Sequence, residues 1–406
     1  MSAARLRPLL PVLVPGLLAT IFGWAVFVST FKYPGKIGLN YNAPGTDWMV
    51  LYSGIRLALT HRFALAEDGM ALTSYLNSTF GHWLSEPLVY RPWFYPPGLL
   101  IILLPFGGLG FVASYFAFQL ASAALLAGAL CYRSENQSAA PWVAAAAVLC
   151  PAASSNFLLG QCSFLIAGLL VLGFRLLPRR PLLAGAVLGL VSIKPQFGLM
   201  VPVALLAMRD WRSFAGVAAS ALALVAISAL MFGPELWVWW IGQTLKTFSD
   251  TDYHWATFNR LWGTSVYACA ILLGLSAKLA SLMQILAVVG SAAGVYLAYR
   301  SHLGQGRKLA VLLACAILAA PHAGFYDDVL LTVAGALWLS ETPAPQLWHW
   351  IVMLVLWLSP LLGPPALMPI ARVLPLFVAG FAVMLVKEGE GGPARTRWGQ
   401  GTPDPH

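Results

Sequence analysis

Long apolar stretches, separated by short polar or proline- and glycine-rich turns, run through almost the whole chain. A helix needs about 20 apolar residues to cross a bilayer core about 30 Å thick, and twelve apolar stretches of 11 to 23 residues follow one another along the chain. They are Pro8–Thr30, Phe111–Cys131, Pro141–Asn156, Gln161–Leu177, Pro181–Ile193, Gln196–Met208, Ser213–Phe232, Leu279–Tyr299, Leu309–Ala320, Val329–Leu339, Leu347–Leu362 and Met368–Val386. The pattern predicts an all-α polytopic membrane protein of about twelve transmembrane helices.

Two long segments, residues 31–110 and 233–278, interrupt this pattern with polar, aromatic, proline and glycine residues. Their apolar runs Leu99–Leu104 and Val266–Leu275 are too short to span, so we expect re-entrant or interfacial helices in these loops. Residues 1–387 then form one membrane domain. Residues 388–406 are rich in glycine and proline, which predicts a disordered tail.

The composition excludes several classes of protein. Of the 406 residues, 59% are hydrophobic and 10% are charged, whereas a soluble domain carries about a quarter charged residues. A soluble enzyme, a disordered chain and a nucleic-acid binder are therefore excluded. The five cysteines are scattered, odd in number and without metal-ligand spacing, so they are interpreted as small apolar helix residues.

The net charge of +9 is informative through its distribution. With the N-terminus in the cytoplasm and twelve alternating helices, most of the Lys and Arg residues fall on the cytoplasmic side, as the positive-inside rule requires. Both termini are then cytoplasmic, and both long loops lie on the outer face of the cytoplasmic (inner) membrane. On the outer face, acidic and basic residues nearly balance.

Asp47 is the first ionisable residue whose position needs an explanation. It follows the first apolar stretch, and Thr46 before it could cap a helix through Met49, Tyr52 and Arg56. Ionisable groups near membrane depth cost energy and mark candidate sites. Asp47 is thus either a catalytic carboxylate or a simple cap at the surface.

Lys194 lies between two apolar stretches of about 13 residues each, which at 1.5 Å per residue fall short of the bilayer thickness. We therefore expect their junction to lie in a protein-lined recess. Pro195 breaks the helix at that point. A recessed cation favours an anionic ligand, and the alternative is a lysine that extends to the interface.

Further polar residues lie at the other turns predicted on the outer side. His322 is followed by Asp327 and Asp328, which either begin the next helix or help to hold a metal; a metal is the less favoured interpretation. Asn156 and Gln161 bracket another turn, where amides often act as caps. The aromatic segment 90–97 and the loop 250–260 suit either an interfacial belt or a sugar-stacking wall.

In order along the chain, Asp47, Tyr95-Pro96-Pro97, Gly160-Gln161, the segment from Ala184-Gly185 to Lys194-Pro195-Gln196, and Arg209-Asp210-Trp211-Arg212 resemble glycosyltransferase family 87. The resemblance implies a GT-C-type membrane enzyme covering residues 1–387. It also implies a polyprenyl-phosphate sugar donor, with mannose favoured, and inverting transfer to a lipid or glycan hydroxyl on the periplasmic face. The turn at Gly160-Gln161 departs from the more usual Gln-Asn-Gly pattern of the family.

Candidate roles follow from the chemistry. Asp47 is the candidate base, because a sugar hydroxyl needs proton removal as it attacks. Three cations are assigned to the donor phosphate: Lys194, Arg91 and Arg260. His322 is also assigned to the phosphate, and the alternative is that it orients the acceptor. The candidates for contacts with the sugar or the acceptor are Tyr95, Trp93, Gln161, Gln196, His254 and Trp255. No cofactor and no nucleic-acid partner are expected.

The main alternative is a transporter or flippase for a lipid-linked glycan, which would share the broken helices and buried charges. Such a protein would show inverted repeats, and none is visible in the sequence. The polar turns cluster on one predicted side, which favours an enzyme. A scaffold subunit would leave Asp47 and Lys194 without a role.

Overall fold

The protein is described here by a computed structural model. It describes residues 9–32, 44–84, 86–248, 263–362 and 368–390. Within these ranges the chain is helical and contains no strand, which confirms the expected all-α class. Three predicted site residues lie outside the described ranges: His254, Trp255 and Arg260. Most of the predicted tail lies outside them as well.

Twenty α-helices follow one another in the described ranges. The first eight are α1 (Leu10–Lys32), α2 (Thr46–Leu59), α3 (Ala64–Glu67), α4 (Gly69–Phe80), α5 (Gly98–Gly107), α6 (Phe111–Cys131), α7 (Ala140–Leu149) and α8 (Pro151–Leu159). The next six are α9 (Ser163–Leu176), α10 (Pro181–Gly189), α11 (Pro195–Gly198), α12 (Met200–Met208), α13 (Trp211–Phe232) and α14 (Glu235–Phe248). The last six are α15 (Val266–Leu272), α16 (Ala277–Arg300), α17 (Gln305–Ala319), α18 (Val329–Ser340), α19 (Leu347–Leu358) and α20 (Leu374–Glu390). Short 3-10 turns cover Gly81–Trp83, Leu190–Ile193, Phe325–Asp328, Ser359–Leu362 and Pro369–Val373.

Five helical stretches of the described chain are long and apolar enough to cross a membrane by themselves. They are Leu10–Thr30, Phe111–Cys131, Trp211–Phe232, Ala277–Arg300 and Pro369–Gly389. Each of the twelve predicted stretches coincides with a helix or with a pair of helices, but several are too short to span unaided. The chain is therefore a membrane protein, and the count of twelve crossings stays a prediction.

Breaks in the shorter helices have clear local causes. α7 and α8 meet at a bend of 48°, where Pro151 lacks an N–H and its ring disfavours a continuous helix. Pro195 begins α11 directly after Lys194, and it separates the two predicted half-length stretches in the same way. These breaks place polar side chains at the ends of short helices inside the bundle, which is where the candidate site forms.

The first long loop contains α2 to α5, as predicted, but α2 is enclosed by protein on nearly all sides. Most of its residues are buried, including Trp48, Met49 and Leu51 at 0% exposure. The prediction that Thr46 caps this helix was wrong. Gly45 occupies the N-cap position, while Thr46 is the first helical residue and its buried hydroxyl has no hydrogen-bond partner among the described residues.

α10 and α13 are in the most extensive contact of any helix pair in the described chain, because small residues let their backbones approach closely. A Cβ at Gly185 would lie 2.1 Å from the Ser213 carbonyl oxygen, and one at Gly216 would lie 2.6 Å from that of Leu182. Gly189 similarly faces Val217. In lipid, where apolar side chains gain little from association, such close packing is a main source of helix–helix affinity.

We expect Gly185→Val to destabilise the protein by about 1–3 kcal/mol, because the new side chain would force the α10 and α13 backbones apart. The free energy of unfolding can be measured by denaturant titration in detergent micelles. Gly290→Val is the matched control, since a Cβ there meets nothing within 4 Å. Equal stability of the two variants would contradict the close-packing interpretation.

Candidate active site

The polar residues singled out in the sequence meet around one cavity of about 350 Å³. Its walls come from the start of α2, the segment 91–96, the α8–α9 turn, the break before α11, helix α14 and the loop 321–327. Eight predicted site residues line it: Asp47, Arg91, Trp93, Tyr95, Gln161, Lys194, Gln196 and His322. Turns far apart in the chain thus form a single pocket, of a size typical for ligand sites.

Two left-handed glycines bring Asp47 to the cavity. Gly45 and Gly160 have φ of +74° and +78°, a conformation that costs other residues energy. The Gly45 N–H donates to the Leu158 carbonyl at 2.7 Å, which joins the start of α2 to the end of α8. A Cβ at Gly160 would lie 2.5 Å from that of Trp48, so only glycine permits this approach.

Asp47 is held by side chains on two sides. The Gln161 amide donates to Asp47 Oδ2 at 2.7 Å, and the Tyr95 hydroxyl donates to Gln161 Oε1 at 2.9 Å. The Arg91 guanidinium lies 3.8 Å from Asp47 Oδ1. The carboxylate is therefore oriented by a hydrogen bond and a nearby positive charge, while its side chain retains 20% exposure.

The environment of Asp47 favours its action as a base. Burial raises the pKa of Asp47 above the usual 3.8, and Arg91 and the Gln161 hydrogen bond offset part of that rise. A carboxylate whose pKa is raised by burial accepts a proton more readily than a solvated one. The position of Asp47 and the direction of its pKa shift thus fit the predicted role of a base, which stays a prediction.

Lys194 already has an anionic partner within the protein. Its Nζ lies 2.7 Å from Asp327 Oδ1, and both side chains are almost fully buried. Phe197 and Tyr326 place their rings 5.0 and 5.1 Å from Nζ. The expected recess is present, but the Lys194 ammonium is already paired with Asp327. An ammonium group has three N–H donors, so the pair can also contact an anion in the cavity.

Asp327 is a site residue that is absent from the set predicted from sequence. It accepts hydrogen bonds from Lys194, from the Ser163 hydroxyl at 2.7 Å and from the Gly324 N–H at 3.1 Å. These contacts fix Lys194 against the cavity wall. The available signal is its position five residues after His322 in the same turn, which equally suits a helix start or a metal ligand.

A buried amide pair joins the two halves of the site. Gln119 donates to the Gln161 carbonyl at 2.9 Å and accepts from Asn156 at 2.8 Å. Asn156 in turn accepts from the Ser163 N–H at 3.0 Å. Because Ser163 also bonds Asp327, one chain of hydrogen bonds runs from Asp47 to Lys194. Gln119 was missed, although a glutamine in the middle of the apolar stretch 111–131 was a visible signal.

The remaining predicted residues of the cavity differ in their contacts and in their exposure. The Gln196 amide donates to the His322 carbonyl at 3.5 Å, which joins two of the lining turns. Trp93 is 2% exposed, and its ring packs on Gly54, so it contributes chiefly to the wall. Tyr95 is more open. Their contacts with a sugar stay predictions.

The charged groups of the site do not assemble into a metal-ligand set. Among the described residues, no three His, Cys, Asp or Glu side chains lie close enough together to hold a metal ion. Most of the cavity lining is apolar or aromatic instead, including Phe94, Trp240 and Phe325. The site therefore combines a carboxylate, an ion pair and an apolar wall.

Comparison with known proteins adds one finding. The family model of Glycosyltransferase family 87 matches residues 93–321, which is more than half of the chain. The matched range includes Tyr95, Gln161 and Lys194, whereas Asp47 and Arg91 precede it and His322 directly follows it. No curated protein and no solved structure matches the chain.

The buried ion pair can be tested by a double-mutant cycle. We expect Lys194→Met to destabilise the protein by about 3–5 kcal/mol, because it leaves the Asp327 carboxylate buried without its partner. The double variant Lys194→Met/Asp327→Leu should lose less than the sum of the losses of the single variants Lys194→Met and Asp327→Leu. Unfolding free energies in detergent micelles measure both effects, and strictly additive losses would contradict a direct interaction.

Proposed function

The chain belongs to glycosyltransferase family 87 and is a membrane glycosyltransferase; we propose that it transfers a sugar from a polyprenyl-phosphate donor to a hydroxyl of a lipid or glycan. Mannose is the favoured sugar. The observation that carries this proposal is the Asp47 carboxylate, oriented by Gln161 and Arg91 at the edge of a mainly apolar cavity.

The proposed step is a single displacement with inversion. The acceptor oxygen attacks the anomeric carbon while Asp47 takes the hydroxyl proton, and the bond between that carbon and the phosphate oxygen breaks. The electron pair of the broken bond leaves with the polyprenyl phosphate. One carboxylate suffices because the phosphate leaves as a stable anion, so the second carboxylate of a glycoside hydrolase has no task here.

Cations next to the cavity suit the departing phosphate. Charge increases on the phosphate as the bond breaks, and a preoriented cation in an apolar site stabilises that charge strongly. Lys194 is held rigidly by Asp327, and Arg91 lies beside Asp47. We assign these two side chains, together with His322, to the phosphate.

The apolar lining supports a lipid-linked donor. Aromatic and aliphatic side chains of the cavity wall, such as Trp240, Phe325 and Leu199, match the first isoprene units better than a hydrated nucleotide. A sugar carried on polyprenyl phosphate is already activated for transfer. The proposal therefore requires neither a nucleotide sugar nor another cofactor.

The proposed setting follows from the charge distribution along the chain. We place the protein in the cell inner membrane, with both termini in the cytoplasm and the cavity on the periplasmic side, in a GT-C arrangement of about twelve transmembrane helices. Family membership favours a transferase over a transporter. Neither the orientation nor the number of crossings is needed for the proposed chemistry.

Asp47→Asn is expected to lower the rate of sugar transfer by about 100- to 10,000-fold, the usual contribution of a general base. Asparagine can still accept the hydrogen bond from Gln161, so folding should persist. Transfer from polyprenyl-phosphate mannose to membrane lipid extract can be measured by mass spectrometry. Glu86→Gln is the control, because Glu86 is exposed and lines neither this cavity nor a second cavity beside it. Full activity of Asp47→Asn would refute the base assignment.

Arg91→Gln should move the acidic limb of the rate profile to higher pH. Arg91 lowers the pKa of Asp47, so its removal raises that pKa further, and a base becomes inactive when pH falls below its pKa. The measurement is the transfer rate as a function of pH, with exposed Arg62→Gln as the control. If the acidic limb of the Arg91→Gln profile is unchanged, or moves to lower pH, the electrostatic role of Arg91 is contradicted.

A further inference from the structure

A second cavity, about 490 Å³ in volume, opens beside the first. We call it the groove. It lies between the short helices α3 and α4 on one side and α14 on the other. Its principal side chains are Glu67, Asp68, Tyr90, Trp239, Gln243 and Lys246.

The groove and the main cavity share a thin partition. Gln243 lines both spaces. Tyr90 faces the groove and Arg91 the cavity, while on α14 Trp239 faces the groove and Trp240 the cavity. Neighbouring Cα atoms are about 3.8 Å apart, so the two spaces are separated by little more than one residue.

The partition lies on the side of the main cavity that carries the base. Arg91, which borders the groove through its neighbour Tyr90, stands 3.8 Å from Asp47. The Trp240 indole donates to the Phe94 carbonyl at 3.0 Å, which fixes α14 against the segment 91–96. Gln243 and Arg91 therefore lie on the side of the main cavity that is next to the groove, and Asp47 is next to Arg91.

The two spaces differ in chemistry. The main cavity is mainly apolar, whereas the groove is lined mostly by polar groups. Carboxylates accept hydrogen bonds from hydroxyl groups, an amide both donates and accepts, and an indole ring covers an apolar sugar face. This set of side chains suits a ligand rich in hydroxyl groups and does not suit an acyl chain.

The groove is shaped by packed backbone. Asp68 caps α4 by accepting from the Met70 and Ala71 N–H groups at 2.8 and 3.1 Å. Gly69 lies so close to Tyr90 that a Cβ would fall 2.6 Å from its ring. The Asp68 carboxylate and the Tyr90 phenol are thus held in fixed relation to each other before any ligand arrives.

We propose that the groove binds the acceptor, and that the acceptor is a polyhydroxy headgroup such as a glycan or a polyol. This inference rests on the proposed function. In an inverting displacement the acceptor oxygen attacks the face of the sugar opposite the leaving phosphate, so donor and acceptor need separate approaches. The apolar cavity takes the donor, and the polar groove presents one acceptor hydroxyl to Asp47.

A binding experiment tests the groove independently of catalysis. The probes are methyl α-mannoside, methyl β-glucoside, methyl β-galactoside and myo-inositol, measured by saturation-transfer NMR on protein in nanodiscs. The test variant is Glu67→Gln/Asp68→Asn, which removes both charges but preserves the cap of α4, because asparagine is as good an N-cap residue as aspartate. At least one probe should show transfer with the wild type and with Asp47→Asn, and should lose it with the test variant.

Several results would overturn the proposal. The proposal is wrong if no probe receives saturation transfer from the wild type, because the probes then do not bind. It is also wrong if transfer is unchanged in the double variant or is lost in Asp47→Asn alone, because the probe then binds outside the groove. Glu86→Gln is the matched control, because it removes an exposed carboxylate of the same loop without touching the groove. Binding that depends on the groove would stand even if no sugar transfer were found, so failure of the proposed function is recognised separately.

A kinetic experiment connects the groove to the reaction. The double variant should raise the acceptor KM about tenfold or more, as expected for loss of hydrogen bonds to charged groups, with the donor KM unchanged. A raised donor KM with an unchanged acceptor KM would refute the assignment. Methyl and octyl forms of the same glycoside distinguish the sources of the headgroup: a lower KM for the octyl form supports a lipid-borne acceptor in the groove, and equal values support a soluble glycan there.

Discussion

A charged or polar group inside an apolar helical protein is costly unless it finds a partner there, and this constraint organises the candidate site. An isolated charge in a medium of low polarity is very costly, whereas a paired and hydrogen-bonded one is tolerated. The structure meets the requirement with one connected set of contacts, from Asp47 through Gln161, Gln119 and Asn156 to the Asp327–Lys194 pair. The position of each member depends on the next.

The same constraint explains why the site lies at helix breaks. An unbroken helix uses all of its backbone groups internally and offers only side chains to a cavity. Pro151, Gly160 and Pro195 interrupt the helices that line the pocket, and each interruption turns the chain near a polar side chain. Short helices α8 and α11 are therefore features of the site as much as of the fold. The long spans pack around them through small residues such as Gly185.

The parts of the structure that could be predicted from sequence have local signals. Apolar length indicated each of the twelve helical stretches, and ionisable residues at turns pointed to Asp47, Lys194 and His322, which line one cavity. Pairings across the fold had no such signal. Asp327 lies 133 residues after Lys194, and nothing near either residue indicates that they meet. For the same reason the sequence did not indicate Asp327 as the partner of the Lys194 ammonium, and the groove, built by two separate segments, was not anticipated.

The family match covers one part of the candidate site and leaves another part outside the matched residues. The matched range, 93–321, contains Gln161 and Lys194, which orient the base and border the proposed donor phosphate. Asp47 and one wall of the groove belong to the loop that precedes it. Because Gly45 and Gly160 lock that loop onto the end of α8, the base is fixed by the matched region although it lies outside it. On the proposed acceptor role of the groove, changes at Glu67 and Asp68, which do not line the donor cavity, would then alter the choice of acceptor.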